Sequence, residues 1–130
     1  MHTSMKDLTV DLGADRPGAL AKAFDAIAKA GINIEGYAEI GGTLHVLTAD
    51  AAATRKALEP AGFRVQKEEA VAVVSAEDRP GVAANIFRHI ADANVNVPFS
   101  YVATGNRVVI GAPDAAQVGE ILSKAVVVGR

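Results

Sequence analysis

The sequence predicts an α+β protein made of two tandem copies of a βαββαβ unit, and three features support this prediction. Asp15-Arg16-Pro17-Gly18 recurs as Asp78-Arg79-Pro80-Gly81, 63 residues further along the chain. Alternating or continuous apolar residues, typical of strands, precede each copy of this motif. An amphipathic helical pattern follows each copy. We therefore assign residues 1–68 to the first unit and residues 69–130 to the second.

The repeat extends well beyond the four-residue motif. Residues 15–34 align with residues 78–97 without a gap, with ten identities in twenty positions. The identities outside the motif are Ala21/Ala84, Phe24/Phe87, Ile27/Ile90, Ala28/Ala91, Ala30/Ala93 and Asn33/Asn96. Similarity of this length indicates an internal duplication, so both halves should contain the same elements in the same order.

The first half has the pattern of strand, helix, two strands, helix and strand. Leu8, Val10 and Leu12 alternate with polar residues, which indicates a strand with one buried face. Pro17 suits the first turn of a helix, and apolar residues then recur at helical spacing as far as Gly31. The remaining predicted elements are strands over 32–40 and 43–48, a helix from about 50 to 60, and a short strand over 63–67.

The second half repeats these elements. A uniformly apolar strand over 71–75 should be covered on both faces. The helix that follows should turn Ala83, Ile86, Phe87 and Ile90 inward and end at Asn94. Strands over 95–103 and 107–111, a helix starting near 114 and a closing strand over 125–128 complete the unit. The junction 66–69 contains neither Gly nor Pro, so it should not behave as a flexible tether.

Composition limits the classes of partner and of functional site that are expected. With 13 Lys and Arg against 15 Asp and Glu, the net charge is -2, so no overall electrostatic attraction to nucleic acid or to an anionic membrane is expected. The chain has no apolar run of about 20 residues, and its polar start lacks a signal peptide's apolar segment, so we expect a cytoplasmic protein. Cysteine is absent, which excludes disulfides and thiolate sites. His2, His45 and His89 lie far apart, so neither a metal nor another cofactor is expected.

The Asp-Arg-Pro-Gly motif, followed by an amphipathic helix and Gly31-Ile32-Asn33-Ile34, resembles the ACT family of ferredoxin-like regulatory domains. The second copy, with Asn94-Val95-Asn96-Val97, has the same pattern, so the resemblance covers the chain as two tandem units. It implies a ferredoxin-like βαββαβ sandwich that binds a free amino acid or similar small metabolite between paired units. It also implies an allosteric role, with a metabolic enzyme or a transcription regulator as partner. Such units often dimerise, so we expect a homodimer.

The resemblance also implies where the ligand binds, in the loop before the first helix and at the start of the second strand. Carried over by position, these residues are Asp15, Gly18, Ala19, Leu20 and Asn33, and in the second copy Asp78, Gly81, Val82, Ala83 and Asn96. Free N–H groups after Gly18, at a helix N-terminus, suit an α-carboxylate. Asp15 could take the α-ammonium group, and Asn33 offers both a donor and an acceptor.

Each of these residues also has a structural interpretation. Asp15 could cap the helix, the two glycines could permit close approach of helix and sheet, and the two asparagines could form turns. Arg16 and Arg79 are typical of solvated loop side chains. Phe24 and Phe87 are expected in the core.

Two other functions remain open. One is an acylphosphatase-like hydrolase of the ferredoxin fold, in which Arg16 and an asparagine act on a phosphate. Pro17 removes an N–H group from such a phosphate cradle, and a duplicated motif favours paired binding sites. The other is a protein-interaction module without a ligand. Because the sequence contains no plausible nucleophile and base, we expect no catalytic residues and no enzyme activity.

Overall fold

The computed structural model describes residues 2–13 and 16–128 of the chain. In chain order its elements are β1 (His2–Asp11), α1 (Ala19–Lys29), β2 (Gly36–Ile40), β3 (Thr43–Thr48), α2 (Ala51–Leu58), β4 (Arg64–Ser75), α3 (Val82–Asp92), β5 (Phe99–Ala103), β6 (Arg107–Gly111) and α4 (Ala115–Val128). The order of strands and helices is that of an α+β protein with βαββαβ-like elements.

The chain divides into two compact units. One consists of Lys6–Glu69, here called the 6–69 unit. The other consists of Met1–Met5 and Ala70–Arg130 and is called the 70–130 unit. Residues 1–5 therefore group with the second half of the chain, whereas the sequence analysis assigns them to the first.

In the 6–69 unit, the strands lie in the antiparallel order β1-β3-β2. Lys6 is opposite Thr48 at one end of the β1–β3 ladder, and Gly36 is opposite Leu47 in the β2–β3 ladder. One face of this sheet packs against α1 and α2. The buried residues of this core are Leu8, Val10, Leu12, Ala19, Ala23, Ile27, Leu44, Val46, Leu58, Phe63 and Val65. The alternating pattern predicted for the first strand is thus confirmed.

In the 70–130 unit, the strands lie in the antiparallel order β4-β6-β5. Ala72 is opposite Ile110, and Phe99 is opposite Gly111. The core on the helical side contains Ala72, Val74, Ile90, Val108, Ile110, Ala112, Val118 and Leu122. Val71 and Val73, which alternate with these core residues, are buried as well. The prediction that this strand is covered on both faces is confirmed.

The predicted helix boundaries agree with the structure at several ends. The side chain of Asp50 accepts a hydrogen bond from the backbone N–H of Ala53 at 3.0 Å, which caps α2. Asp114 caps α4 in the same way, through the N–H of Gln117 at 3.1 Å. Gly31 has φ 75° and Asn94 has φ 59°, the left-handed conformation that ends α1 and α3.

The predicted start of the first helix is wrong. Pro17 precedes α1, which begins at Ala19, and Gly18 at the N-cap has φ 89°. That left-handed conformation strongly favours glycine, and helical backbone begins only after it. In α3, Ala83 is exposed rather than inward.

The predicted strands differ from the observed ones in three ways. The strands predicted over 63–67 and 71–75 are the two ends of a single strand, β4. The strand predicted over 125–128 is instead the last turn of α4, because it continues the helix that begins at Ala115. The strands predicted to start at Ile32 and Val95 begin later, at Gly36 and Phe99.

Candidate functional site

The two loops that lead into α1 and α3 have nearly the same backbone geometry. Gly18 has φ 89° and ψ -14°, and Gly81 has φ 90° and ψ -13°. Each glycine is the N-cap of an eleven-residue helix. Both glycines are exposed, and a Cβ atom added at either would meet no atom within 4 Å. Backbone conformation rather than close approach to the sheet therefore requires glycine at these positions, which decides against that structural interpretation.

The helix starts leave backbone donors available at equivalent positions. The first helical hydrogen bonds run from the N–H of Lys22 to the carbonyl of Gly18 at 3.0 Å, and from Asn85 to Gly81 at 2.9 Å. Four residues come just before these bonds, Leu20 and Ala21 in α1 and Ala83 and Ala84 in α3. Their N–H groups have no acceptor among the described residues. Such N–H groups, at the positive end of a helix, are suited to an anionic group.

The side chains next to the two glycines are anchored differently. Ala19 is buried in the core of the 6–69 unit, and Leu20 is half-buried against it. Val82 is half-buried and Ala83 is exposed, and the described core of the 70–130 unit includes neither. The loop of the 6–69 unit is therefore held more firmly by its own apolar side chains.

Of the two candidate aspartates, only Asp78 lies in the described part of the chain. Asp15 lies outside the described residues. Asp78 is exposed, and the N-cap position before its helix is occupied by Gly81. The N-cap residues of α1 and α3 are Gly18 and Gly81.

Asn33 and Asn96 are exposed and lie in the short segments between each first helix and the next strand. They precede β2 and β5 rather than beginning them, which corrects their predicted position in a strand. Ile32 and Ile34, on either side of Asn33, pack against the same core as Leu20. The Gly18 loop and the Asn33 segment are thus fixed to one core, with the Asn33 side chain directed to solvent.

An aromatic pair beside this region was not predicted. The rings of Phe24 on α1 and Tyr37 on β2 meet edge to face, with centroids 4.9 Å apart. Tyr37 is 50% exposed. The equivalent position in the other unit is Ser100. The signal in the sequence is a tyrosine four residues after Asn33.

The loop of the 70–130 unit contains an ion pair that was not predicted from the sequence either. Nε of Arg79 donates to Oε2 of Glu77 at 2.7 Å. The residue equivalent to Glu77 in the first copy is Ala14, so this partner is absent from the sequence near Arg16. Arg16 and Arg79 are both exposed, as predicted. The two loops therefore differ in the charge that they carry.

A buried polar pair lies elsewhere in the 6–69 unit. Nδ1 of His45 is 2.9 Å from Oδ2 of Asp7, and Oγ1 of Thr9 donates to the same oxygen at 3.5 Å. Asp7 is fully buried, whereas the His45 side chain is 22% exposed. Asp7 lies on the face of β1 opposite to that of Leu8. Its place in the alternation of polar and apolar residues was the signal in the sequence that could have indicated this pair. Across the described part of the chain, no group of three or more acidic or histidine side chains is arranged to hold a metal ion.

Comparison with solved structures finds proteins that share this fold. Protein BT0572 from Bacteroides thetaiotaomicron is similar over 95% of this chain and 88% of its own, with TM-score 0.73 and 24% identity. The regulatory subunit of aspartate kinase from Thermus flavus matches 97% of this chain and 95% of its own, with TM-score 0.63 and 21% identity. The corresponding subunit from Thermus thermophilus matches 95% of each chain, with TM-score 0.65 and 22% identity.

The chain shares the fold of these three proteins. No protein-family model matches the sequence. No curated protein matches it either. At these levels of identity the similarity concerns the fold alone. Of the helices that the structure describes, none has the length and apolar character needed to span a membrane.

Proposed function

We propose that this chain is a non-catalytic regulatory protein with two tandem ACT-type units, which binds a free amino acid or a related small metabolite. The observation that carries the proposal is the repeated loop geometry, in which Gly18 and Gly81 adopt the same left-handed conformation before helices of equal length. A duplicated loop that presents unpaired N–H groups to solvent suits a carboxylate.

The ligand contacts that we propose are those implied by the resemblance. The N–H groups after Gly18 would bind the α-carboxylate, and Asn33 would bind the other end of the zwitterion with its amide. Gly81, Val82, Ala83 and Asn96, together with Asp78, would form the second site. Asp15 and Asp78 would attract the α-ammonium group.

The partner that we propose is an enzyme, present in the cytoplasm with this protein. Regulatory subunits of aspartate kinase share the fold over nearly their whole length, which supports an enzyme over a transcription regulator. Ligand occupancy would favour one of two conformations, and the partner would bind one of them better. A homodimer remains our expectation for the free protein.

A thermal-shift screen of the twenty amino acids tests the proposal. A ligand that binds only the folded state stabilises it by RT ln(1 + [L]/Kd), which is about 2.7 kcal/mol at a hundredfold excess over Kd. We expect at least one amino acid to raise the melting temperature by several degrees, and calorimetry then gives the stoichiometry. If none of the twenty binds at millimolar concentration, the proposal in this form is wrong.

A further inference from the structure

Two strands belong to both units of the chain. β1 extends over His2–Asp11, yet residues 2–5 group with the 70–130 unit and residues 6–11 with the 6–69 unit. β4 extends over Arg64–Ser75, and the division between the units falls between Glu69 and Ala70. Neither strand has a turn or a bend at the point of division.

The strand structure is maintained up to these points. Lys6, the first residue of β1 in the 6–69 unit, is already paired opposite Thr48. In β4, Val65 and Val71 are buried on either side of the division. Neither Gly nor Pro occurs in β1 or β4. Nothing in the sequence therefore gives the backbone extra freedom where one unit gives way to the other.

Each shared strand leads directly into one of the candidate ligand loops. β1 ends at Asp11, seven residues before Gly18, and β4 ends at Ser75, six residues before Gly81. The strand that leads into each loop therefore has its first residues in the unit that does not contain the loop.

We propose that β1 and β4 couple the folding of the two units, so that loosening the core of one unit also loosens the other. Local opening in proteins occurs in cooperative segments, and a hydrogen-bonded strand that crosses a division makes it costly to open one side alone. Disordering half of such a strand frees the dihedral angles of the adjoining residues and weakens their ladder. The loops at Gly18 and Gly81 therefore respond to the state of both units.

Hydrogen exchange of the full-length protein without ligand tests this coupling. Ile27 and Ile90 are equivalent positions on α1 and α3, and both are buried. Ile27→Val and Ile90→Val each remove one methylene from one core, which corresponds to roughly a fivefold change in the opening equilibrium. The coupled chain should show this acceleration in the slowest amides of both β3 and β6, in either variant. Acceleration confined to the substituted unit would overturn the proposal.

A second pair of variants tests whether β1 and β4 transmit the effect from one unit to the other. Inserting Gly-Gly after Met5 or after Glu69 interrupts one shared strand and keeps the alternation of its faces, because two residues are added. Each insertion should reduce the transfer of acceleration from one unit to the other. Where an insertion prevents folding, Ala70→Gly replaces it as a milder weakening of β4. Undiminished transfer in both backgrounds would show that the strands are not the route.

The exposed residues Lys29 and Asp92, which end α1 and α3, provide the matched control. Lys29→Ala and Asp92→Ala should leave exchange in both units unchanged. Because no ligand is used, a negative result here leaves the amino-acid-binding proposal standing, and a failed ligand screen leaves the coupling standing.

Discussion

The two candidate loops have the same backbone conformation but different side chains around them. The φ and ψ angles of Gly18 and Gly81 differ by only a degree each. Around them, Leu20 corresponds to Ala83 and Tyr37 corresponds to Ser100, while the Glu77–Arg79 ion pair has no counterpart in the first copy. The duplication has thus kept the part that presents N–H groups, and the parts that would contact a ligand's side chain have diverged.

The two sheets differ in a reciprocal way. Gly36 faces Leu47 in the 6–69 unit, and at the equivalent positions Phe99 faces Gly111 in the 70–130 unit. Each of these cross-strand pairs combines a glycine with a large residue. The glycine lies on β2 in the 6–69 unit and on β6 in the 70–130 unit. The polar pair Asp7 and His45 corresponds to the apolar pair Val71 and Val109. Equivalent backbones are therefore stabilised by different packing. Four substitutions test how much the two units differ in stability and in ligand binding.

The largest effect is expected at the buried polar pair. His45→Val removes the ring nitrogen that lies 2.9 Å from the fully buried Asp7 carboxylate. Removing one member of a buried pair typically costs about 3–5 kcal/mol of unfolding free energy, which urea denaturation measures. The double variant Asp7→Val with His45→Val installs the residues of the other unit and should be more stable than the single variant. A loss below about 1 kcal/mol for His45→Val would mean that the pair contributes little.

A loss of ligand affinity is expected next. Asn33→Ala should weaken binding of the amino acid found in the screen by about 1.5–3 kcal/mol, because a hydrogen bond to a charged group is lost. Asn96→Ala should have a smaller effect, since the first copy is closer to the family pattern and its loop is better anchored. Calorimetry measures both, with Lys29→Ala as the control. Equal losses from Asn33→Ala and Lys29→Ala would remove Asn33 from the site.

Adding a methyl group at Gly111 tests the reciprocal packing. A Cβ atom there would overlap the ring of Phe99, which is stacked on Tyr101 with centroids 6.2 Å apart. Overpacking of this kind costs about 1–3 kcal/mol, so Gly111→Ala should lower the urea midpoint clearly. In a Phe99→Leu background the same substitution should cost less. An equal cost in both backgrounds would assign the effect to the strand backbone instead of the ring.

The smallest effect is expected from releasing Arg79. Glu77→Ala removes an exposed ion pair, whose contribution to stability is about 0.2–1 kcal/mol at most. A freed guanidinium beside Gly81 should raise the affinity of the second site for an anionic ligand by a similar amount, most visibly at low salt. Titration of an Asn33→Ala background, in which the first site is weakened, isolates this change. Unchanged affinity at low salt would place Arg79 outside the site.

Much of the fold could be predicted because its signals are local. The helix stripes, the caps at Asp50 and Asp114, and the left-handed ends at Gly31 and Asn94 depend on residues within a turn or two of one another. The strand predicted over 125–128 failed because its valines favour strands, whereas the helix begun at Ala115 continues through them.

The candidate site could be predicted only as far as the repeat reached. The family resemblance nominated Gly18 and Asn33, and the repeat extended this to Gly81 and Asn96. The structure supplied the left-handed angles that explain the glycines. Tyr37 and the Glu77–Arg79 pair occur in one copy each, so a search for repeated residues could not find them. Asn33 was placed in a strand because the apolar residues beside it are β-branched, although they pack on the core before β2 begins.

The sequence predicted most of the elements, the duplicated loop and the inward faces of most helices, because periodicity and turn chemistry act over short distances along the chain. Only the tertiary structure decided which distant residues pair. It joined two predicted strands into β4, grouped residues 1–5 with the second half, and buried Asp7 beside His45. Such pairings depend on contacts between residues far apart in sequence, for which local patterns carry no information.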